Sequence, residues 1–246
     1  MRLSLRYSGV MTTILLTGSS RGIGAAAKAS LEARGAKVIG QATSSKAVDT
    51  VPADFCEPGA PHELWEAALA RTGGEIDVLI NNAGLFDPNP LDSSDIEWLD
   101  AWEDTMRINL TASAQLSRFA VKHWQERGFP GRIVHVASRA GHRGDSPAHW
   151  HYAASKGGML AMHKTIARQY AHQGILSFAI TPGFTDTAMA GDYLESRGGV
   201  GLLADIPLGR VAEPEEMARI ITFCALDAPA SMTGATLDAN GASYVR

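Results

Sequence analysis

The 246-residue chain is 45% hydrophobic and 20% charged, with a formal net charge of −4. These proportions suit a globular chain with a sizeable core, and the mild acidity excludes a basic stripe for nucleic acid or an anionic membrane surface. Its two cysteines, Cys56 and Cys224, lie far apart and its eight histidines form no H-E-x-x-H pattern, so no metal centre is expected.

No apolar run approaches the roughly 20 residues that span a bilayer, and MRLSLRYSGVM lacks the core of a secretory signal. A cytoplasmic protein is expected, with residues 1–10 a possible N-terminal extension ahead of Met11. From there short apolar runs alternate with longer helical patterns, the signature of βαβ units around a parallel sheet. Thr13–Leu16 is a predicted first strand, followed by a glycine-rich turn and a helix through Arg34, closed by Gly35. Lys37–Gly40 is a second strand. The crossover before a short third strand at Val51–Ala53 leaves little room for a helix. Pro61–Arg71 reads as helix, and Asp77–Asn81 as a strand apolar on both faces. One long helix is predicted over Ile96–Glu126, then a strand at Ile133–Val136. Another long helix covers Tyr152–His172, and a strand Leu176–Ile180. Residues 184–206 lack periodicity and are expected to be mobile. A last helix from Pro214 to Leu226 carries Glu215 and Glu216 at its positive end, and Thr236–Asp238 is a final short strand. The fold class is α/β: a single-domain Rossmann fold over residues 1–246, a doubly wound parallel sheet of about seven strands with helices on both faces.

The turn after the first strand reads Thr17-Gly18-Ser19-Ser20-Arg21-Gly22-Ile23-Gly24. Gly18 and Gly22 let the backbone turn tightly beside a pyrophosphate, Gly24 lets helix and strand pack closely, and the helix N-terminus offers free N–H groups. A chain that selects NAD usually ends its second strand on a carboxylate. Here that segment is Gly40-Gln41-Ala42-Thr43-Ser44-Ser45-Lys46, with no acid before Asp49. Arg21, Thr43 and Ser44, with Lys46 nearby, suit a 2′-phosphate, so NADP (NADPH) is the predicted cofactor.

Tyr152 and Lys156 stand one helical turn apart in HWHYAASKGG. A phenol at pH 7 is a poor acid–base catalyst, its ordinary pKa being about 10. Lowering that by three units takes about 4 kcal/mol, roughly what two charges about 4 Å apart exchange at an effective dielectric of 20. The spacing therefore predicts that Lys156 lowers the Tyr152 pKa and makes it a proton donor to a carbonyl. An isolated Y-x-x-x-K is more often a surface pair.

Five motifs in order settle the contrast: Thr17, Gly18, Gly22 and Gly24 as T-G-x-x-x-G-x-G; Asn81 to Gly84 as N-N-A-G; Ser138 after the fifth strand; Tyr152 and Lys156; and Pro182, Gly183 and Thr187 as P-G-x-x-x-T. Together they resemble the short-chain dehydrogenase/reductase family from about Thr13 to Tyr244, most of all its 3-oxoacyl-(acyl-carrier-protein) reductases. The resemblance implies reduction of a ketone or 3-oxoacyl thioester to a secondary alcohol. Tyr152 is then the proton donor, Ser138 fixes the carbonyl oxygen, Lys156 holds the nicotinamide ribose, and Asn109 supports a water-mediated relay to that lysine. It also implies that Asn81, Ala83 and Gly84 line the adenosine ribose, Asp54 meets the adenine, Pro182 and Gly183 shape the nicotinamide wall, and Thr187 reaches the carboxamide or phosphates. His149, Trp150 and Met189 are candidate substrate contacts. A homotetramer assembled through the two long helices is expected. Alternatives are a sugar- or polyol-type alcohol dehydrogenase with the same site, or a non-catalytic NADP-binding regulatory protein. Two departures stand out: the bulky HRGDSPAHWH before Tyr152, and NGASY where a glycine pair is more usual.

Overall fold

A computed structural model describes residues 11–44, 47–187 and 203–246. Seven strands form one parallel sheet in the order β3-β2-β1-β4-β5-β6-β7: β1 Thr13–Leu16, β2 Lys37–Ala42, β3 Thr50–Pro52, β4 Val78–Asn81, β5 Gly131–Val136, β6 Ile175–Pro182 and β7 Thr236–Ala239. The doubly wound α/β expectation holds. The order reverses between β1 and β4, the switch point where such sheets bind ligands beyond their carboxyl ends.

Alternation along the strands sends one set of side chains to each face. Leu15, Leu79 and Ile133 pack with Trp65, Leu116 and Trp124 from α2 (Ala60–Thr72) and α4 (Ala112–Arg127). Ile14, Leu16, Ile80 and Phe178 pack on the opposite face, with Leu31 of α1 (Gly22–Ala33) and Ile221 of the last long helix, Pro214–Thr222. These strands are buried on both faces, which is why they read as unbroken apolar runs.

The helix predicted over Ile96–Glu126 is three pieces. It opens as α3 (Asp95–Met106) behind a capping box in which the Ser94 hydroxyl accepts from the Glu97 N–H. A π turn over Arg107–Thr111 inserts one extra residue, and α4 follows. Left-handed Gly128, φ +67°, ends the run. Beyond β5 come a single turn, α5 (Ala140–Arg143), and then α6 (Trp150–Tyr170). The last helix, α7 (Pro214–Thr222), carries Pro214 at its start and a reciprocal pair between Glu213 and Glu216. Residues 1–10, read as an extension, and 188–202, most of the segment expected to be mobile, lie outside the described residues, as do Ser45 and Lys46.

Candidate active site

The carboxyl ends of β1, β2, β4, β5 and β6 surround a cleft with a cavity volume of about 340 Å³, within the usual range of small-molecule sites. Its floor on one side is the turn from β1 to α1. Gly18 (φ +64°) and Gly22 (φ +52°) adopt left-handed backbone, and a Cβ on Gly18 would fall 2.8 Å from the Ala83 Cα. A Cβ on Gly22 would sit 3.0 Å from the Thr187 methyl, so that close approach also depends on glycine. Arg21, extended and exposed, precedes α1; no side chain caps the helix and no acid occupies its first turn. Its free N–H groups and positive end therefore remain available to an anion. These features fit a dinucleotide, with Ser20, Arg21, Ile23 and Gly24 along the same wall.

Two side chains to which the motifs assign no role hold this turn in place. Gln41 is buried at the end of β2; its Oε1 accepts from the Gly18 N–H at 2.8 Å and its Nε2 donates to the Ala53 carbonyl at 2.7 Å. Asn82 donates through Nδ2 to the carbonyls of Thr17 and Gly18, both at 3.0 Å. The signal for Gln41 was a polar residue at an apolar strand end, and for Asn82 its place in N-N-A-G. Thr17 itself is buried beneath the cleft, its hydroxyl accepting from the N–H groups of Asn82 and Ala83.

The N-N-A-G segment divides. Asn82, Ala83 and Gly84 line the cleft. Asn81 does not: it is fully buried, donating to the Ser117 hydroxyl at 3.1 Å and lying 3.4 Å from His135 Nδ1. Alternation explains this, since Asn81 still belongs to β4 and points into the sheet–helix layer. Asp54 and Thr43 border the cleft, while Ser44 is exposed outside it. Pro182, Gly183 and Thr187 line the opposite wall.

Ser138, Tyr152 and Lys156 converge at the far end of the cleft, Ser138 from the loop after β5 and the other two from one face of α6. Burial pushes the Tyr152 phenol up to about 12, opposed by the Ser138 hydroxyl, which is close enough to hydrogen-bond it. Burial also pushes Lys156 down to about 8. The expected lowering of the tyrosine by the lysine is thus not what this arrangement gives. Lys156 Nζ donates to the Val136 carbonyl at 2.9 Å and lies 5.8 Å from the centre of the Tyr152 ring, and desolvation of the phenol outweighs so distant a cation.

Asn109 sits inside the π turn, fully buried. Its Oδ1 accepts from the Leu85 N–H at 2.7 Å, and its Nδ2 donates to the Leu85 carbonyl at 3.0 Å and the Ser155 hydroxyl at 3.1 Å. Ser155 in turn donates to the Tyr152 carbonyl. One amide thus ties the loop after β4 to α6 beside Lys156. A Cβ on Gly84 would lie 3.4 Å from Lys156 Nζ and 3.5 Å from Asn109 Oδ1, so both reach the same glycine. A π turn re-aims such a residue within a helix.

The aromatic segment before Tyr152 splits in direction. His149 is buried, stacked on Phe86 with ring centres 4.1 Å apart, and Phe86 meets the Tyr152 ring edge to face at 4.6 Å. Phe86, which the motifs do not mark, lines the cleft; His149 stands behind it. Trp150 points outward at 53% exposure, and Met189 lies outside the described residues.

A parallel sheet whose switch point carries a glycine turn fit for a dinucleotide, beside a half-buried tyrosine and a buried lysine, defines an NAD(P)-dependent oxidoreductase. Comparison with known proteins gives the family. Residues 18–241 match the family described as enoyl-(acyl carrier protein) reductase. The chain is 35% identical over 242 residues to 3-oxoacyl-[acyl-carrier-protein] reductase of Haemophilus influenzae, covering 94% of this chain and 97% of that protein. It is 34% identical to the protein of the same name from Escherichia coli K12, with 94% and 96% covered, and 34% identical to acetoacetyl-CoA reductase of Rhizobium meliloti, with 94% and 97% covered. The chain belongs to the short-chain dehydrogenase/reductase family.

Proposed function

We propose that this protein is an NADPH-dependent reductase of a ketone or 3-oxoacyl thioester, working as a single catalytic domain. The observation that carries the reading is the convergence of Ser138, Tyr152 and Lys156 at one end of a cleft whose other end is the glycine turn. The relatives, named as reductases of 3-oxoacyl and acetoacetyl thioesters, support the substrate class.

Bound NADPH supplies the hydride. Ser138 and Tyr152 hold the carbonyl oxygen, and Tyr152 gives up its proton as negative charge develops there. A phenol pushed up to about 12 stays protonated through neutral pH and so remains a donor. The Lys156 ammonium, one helical turn away, stabilises the negative charge of the phenolate that forms. Lys156 also reaches the ribose, while Asn109 positions both the lysine's helix and the Leu85 loop and supports the proton relay. Ala83 and Gly84 give close approach on the adenosine side, Asp54 meets the adenine, and Pro182, Gly183 and Thr187 close the nicotinamide wall.

Preference for NADP rests on charge at the end of β2. Gln41, where an acid would sit, is spent holding the turn. The next acid in sequence, Asp49, is hydrogen-bonded to Lys28, which holds its pKa below the ordinary value. Arg21 and Thr43 face the cleft, and the acid on that side, Asp54, follows β3 rather than β2. A homotetramer fits the apolar surface on the long helices, where Ile96, Leu99 and Trp150 are exposed; that placement suits Trp150 to an interface rather than to substrate. Oxidation of NADPH and NADH over a panel of 3-oxoacyl thioesters, diketones and ketoses tests the reading. Turnover of thioesters or diketones with NADPH at least tenfold preferred is expected. Equal use of NADH overturns the cofactor assignment, and NADPH binding with no turnover overturns the reductase.

A further inference from the structure

Phe86 lines the cleft beside Tyr152, and its ring is held from several directions. It meets the Tyr152 ring edge to face at 4.6 Å and stacks on His149 at 4.1 Å, with those two planes only 16° apart. His149 is itself buried, its Nδ1 2.7 Å from the Ser146 hydroxyl. The backbone around Phe86 is fastened on both sides. Asn109 holds the N–H and the carbonyl of Leu85 just before it. Three residues after it, the Asn89 N–H donates to the Ala148 carbonyl at 2.8 Å, and the Asn89 side chain donates to the Trp98 carbonyl at 2.9 Å. The loop after β4 and the segment leading into α6 thus form one cross-linked wall. The bulky HRGDSPAHWH segment gains a use here: His149 backs the Phe86 ring, while Trp150 faces solvent.

A carbonyl whose oxygen is held by Ser138 and Tyr152 has this ring beside one of its two substituents. Swinging the ring aside would break both aromatic contacts at once. A wall fixed in this way accepts a group that fits and excludes a longer one, because close-packed side chains yield only with strain. We propose that Phe86, backed by His149, determines substrate specificity by limiting that substituent to a short alkyl group, methyl or ethyl. The substrate is then an acetoacetyl- or 3-oxopentanoyl-type thioester, and long acyl chains are excluded. This deepens the proposed reductase and rests on it. The thioester arm extends from the other side of the carbonyl carbon.

The test measures kcat/KM of the full chain, with saturating NADPH, for the acetoacetyl, 3-oxopentanoyl, 3-oxohexanoyl and 3-oxooctanoyl thioesters of N-acetylcysteamine. In the wild type, kcat/KM is expected to fall by about tenfold or more from the 3-oxopentanoyl to the 3-oxohexanoyl thioester, the effect of one methylene in a fixed apolar pocket. Phe86→Ala should raise the ratio of 3-oxooctanoyl to acetoacetyl kcat/KM by at least about tenfold, with Phe86→Leu between it and the wild type. His149→Ala, which removes the backing and keeps the Phe86 ring, should raise the same ratio by a smaller factor. A wild-type profile that is flat or rises with chain length overturns the proposal while leaving the reductase intact. An equal loss on all four thioesters in the Phe86 variants assigns the ring to holding Tyr152 and also overturns it. Reduction of diketones or ketoses with none of the thioesters overturns the thioester class and the limit with it; no carbonyl reduced at all overturns the reductase itself.

Discussion

Lys156 is the residue whose energetics conflict most with its burial. It is 3% exposed and pushed down to about 8 by desolvation alone, against an ordinary value near 10.5. Below pH 8 both folded and unfolded chains hold the proton, and the folded state bears the full cost of about 3 kcal/mol. Between pH 8 and 10.5 the unfolded chain binds more protons, so folded stability recovers as pH rises. Lys156→Met should therefore stabilise the fold at pH 7 by about 1–2 kcal/mol, after the Val136 carbonyl loses its donor, while turnover is lost. Urea unfolding at pH 7 and pH 10 measures it; the gain should shrink at the higher pH, and a destabilised variant would contradict it. The Tyr152–Lys156 pair is legible from a spacing of four. The lysine's bond to Val136 is not, because spacing within α6 carries no distance to β5. His149 and Trp150 show the same limit: neighbours in sequence, one is buried behind Phe86 and the other faces solvent, and only the start of α6 decides which.

At the scale of elements, β1 and β4 were readable because burial on both faces makes their centres apolar runs. The glycine turn was readable because positive φ and close approach leave few alternatives to glycine at Gly18 and Gly22. The π turn over Arg107–Thr111 was hidden within the 96–126 pattern. One inserted residue shifts the apolar stripe by about 100°, and the bulky neighbours on either side blur that shift. Asn109 was the visible trace, a helix-interior asparagine that would otherwise be a mildly unfavourable choice. The division of N-N-A-G into a buried Asn81 and a turn-holding Asn82 was missed because a motif records residue types and not the pleat of β4. At the chain's end the replaced glycine leaves a mark: Ala242 has φ +64°, the one non-glycine in left-handed backbone among the described residues.

Across the whole molecule, the layer between sheet and helices contains ionisable groups that must stay neutral. His135 on β5 and His163 on α6 are fully buried with ring centres 5.9 Å apart, and burial pushes them down to about 3 and about 4. Their unfolded values are near 6.5, so the unfolded chain binds more protons below that pH. Stability should be flat in these groups above pH 6.5 and fall between pH 6.5 and 4, with a slope approaching about 2.7 kcal/mol per pH unit for two protons. His135→Gln should remove about half of that slope in denaturant titrations; an unchanged slope would contradict the assignment.

The proposed reductase depends on Tyr152 as the proton donor at the end of a dinucleotide cleft. Its most direct test is Tyr152→Phe, which keeps the ring packed against Phe86 and removes only the hydroxyl. NADPH affinity, read by quenching of tryptophan fluorescence, should stay within about threefold of the wild type, while kcat falls by at least the roughly 10²–10⁴ of a lost general acid. Turnover within tenfold of the wild type at unchanged NADPH affinity would contradict it.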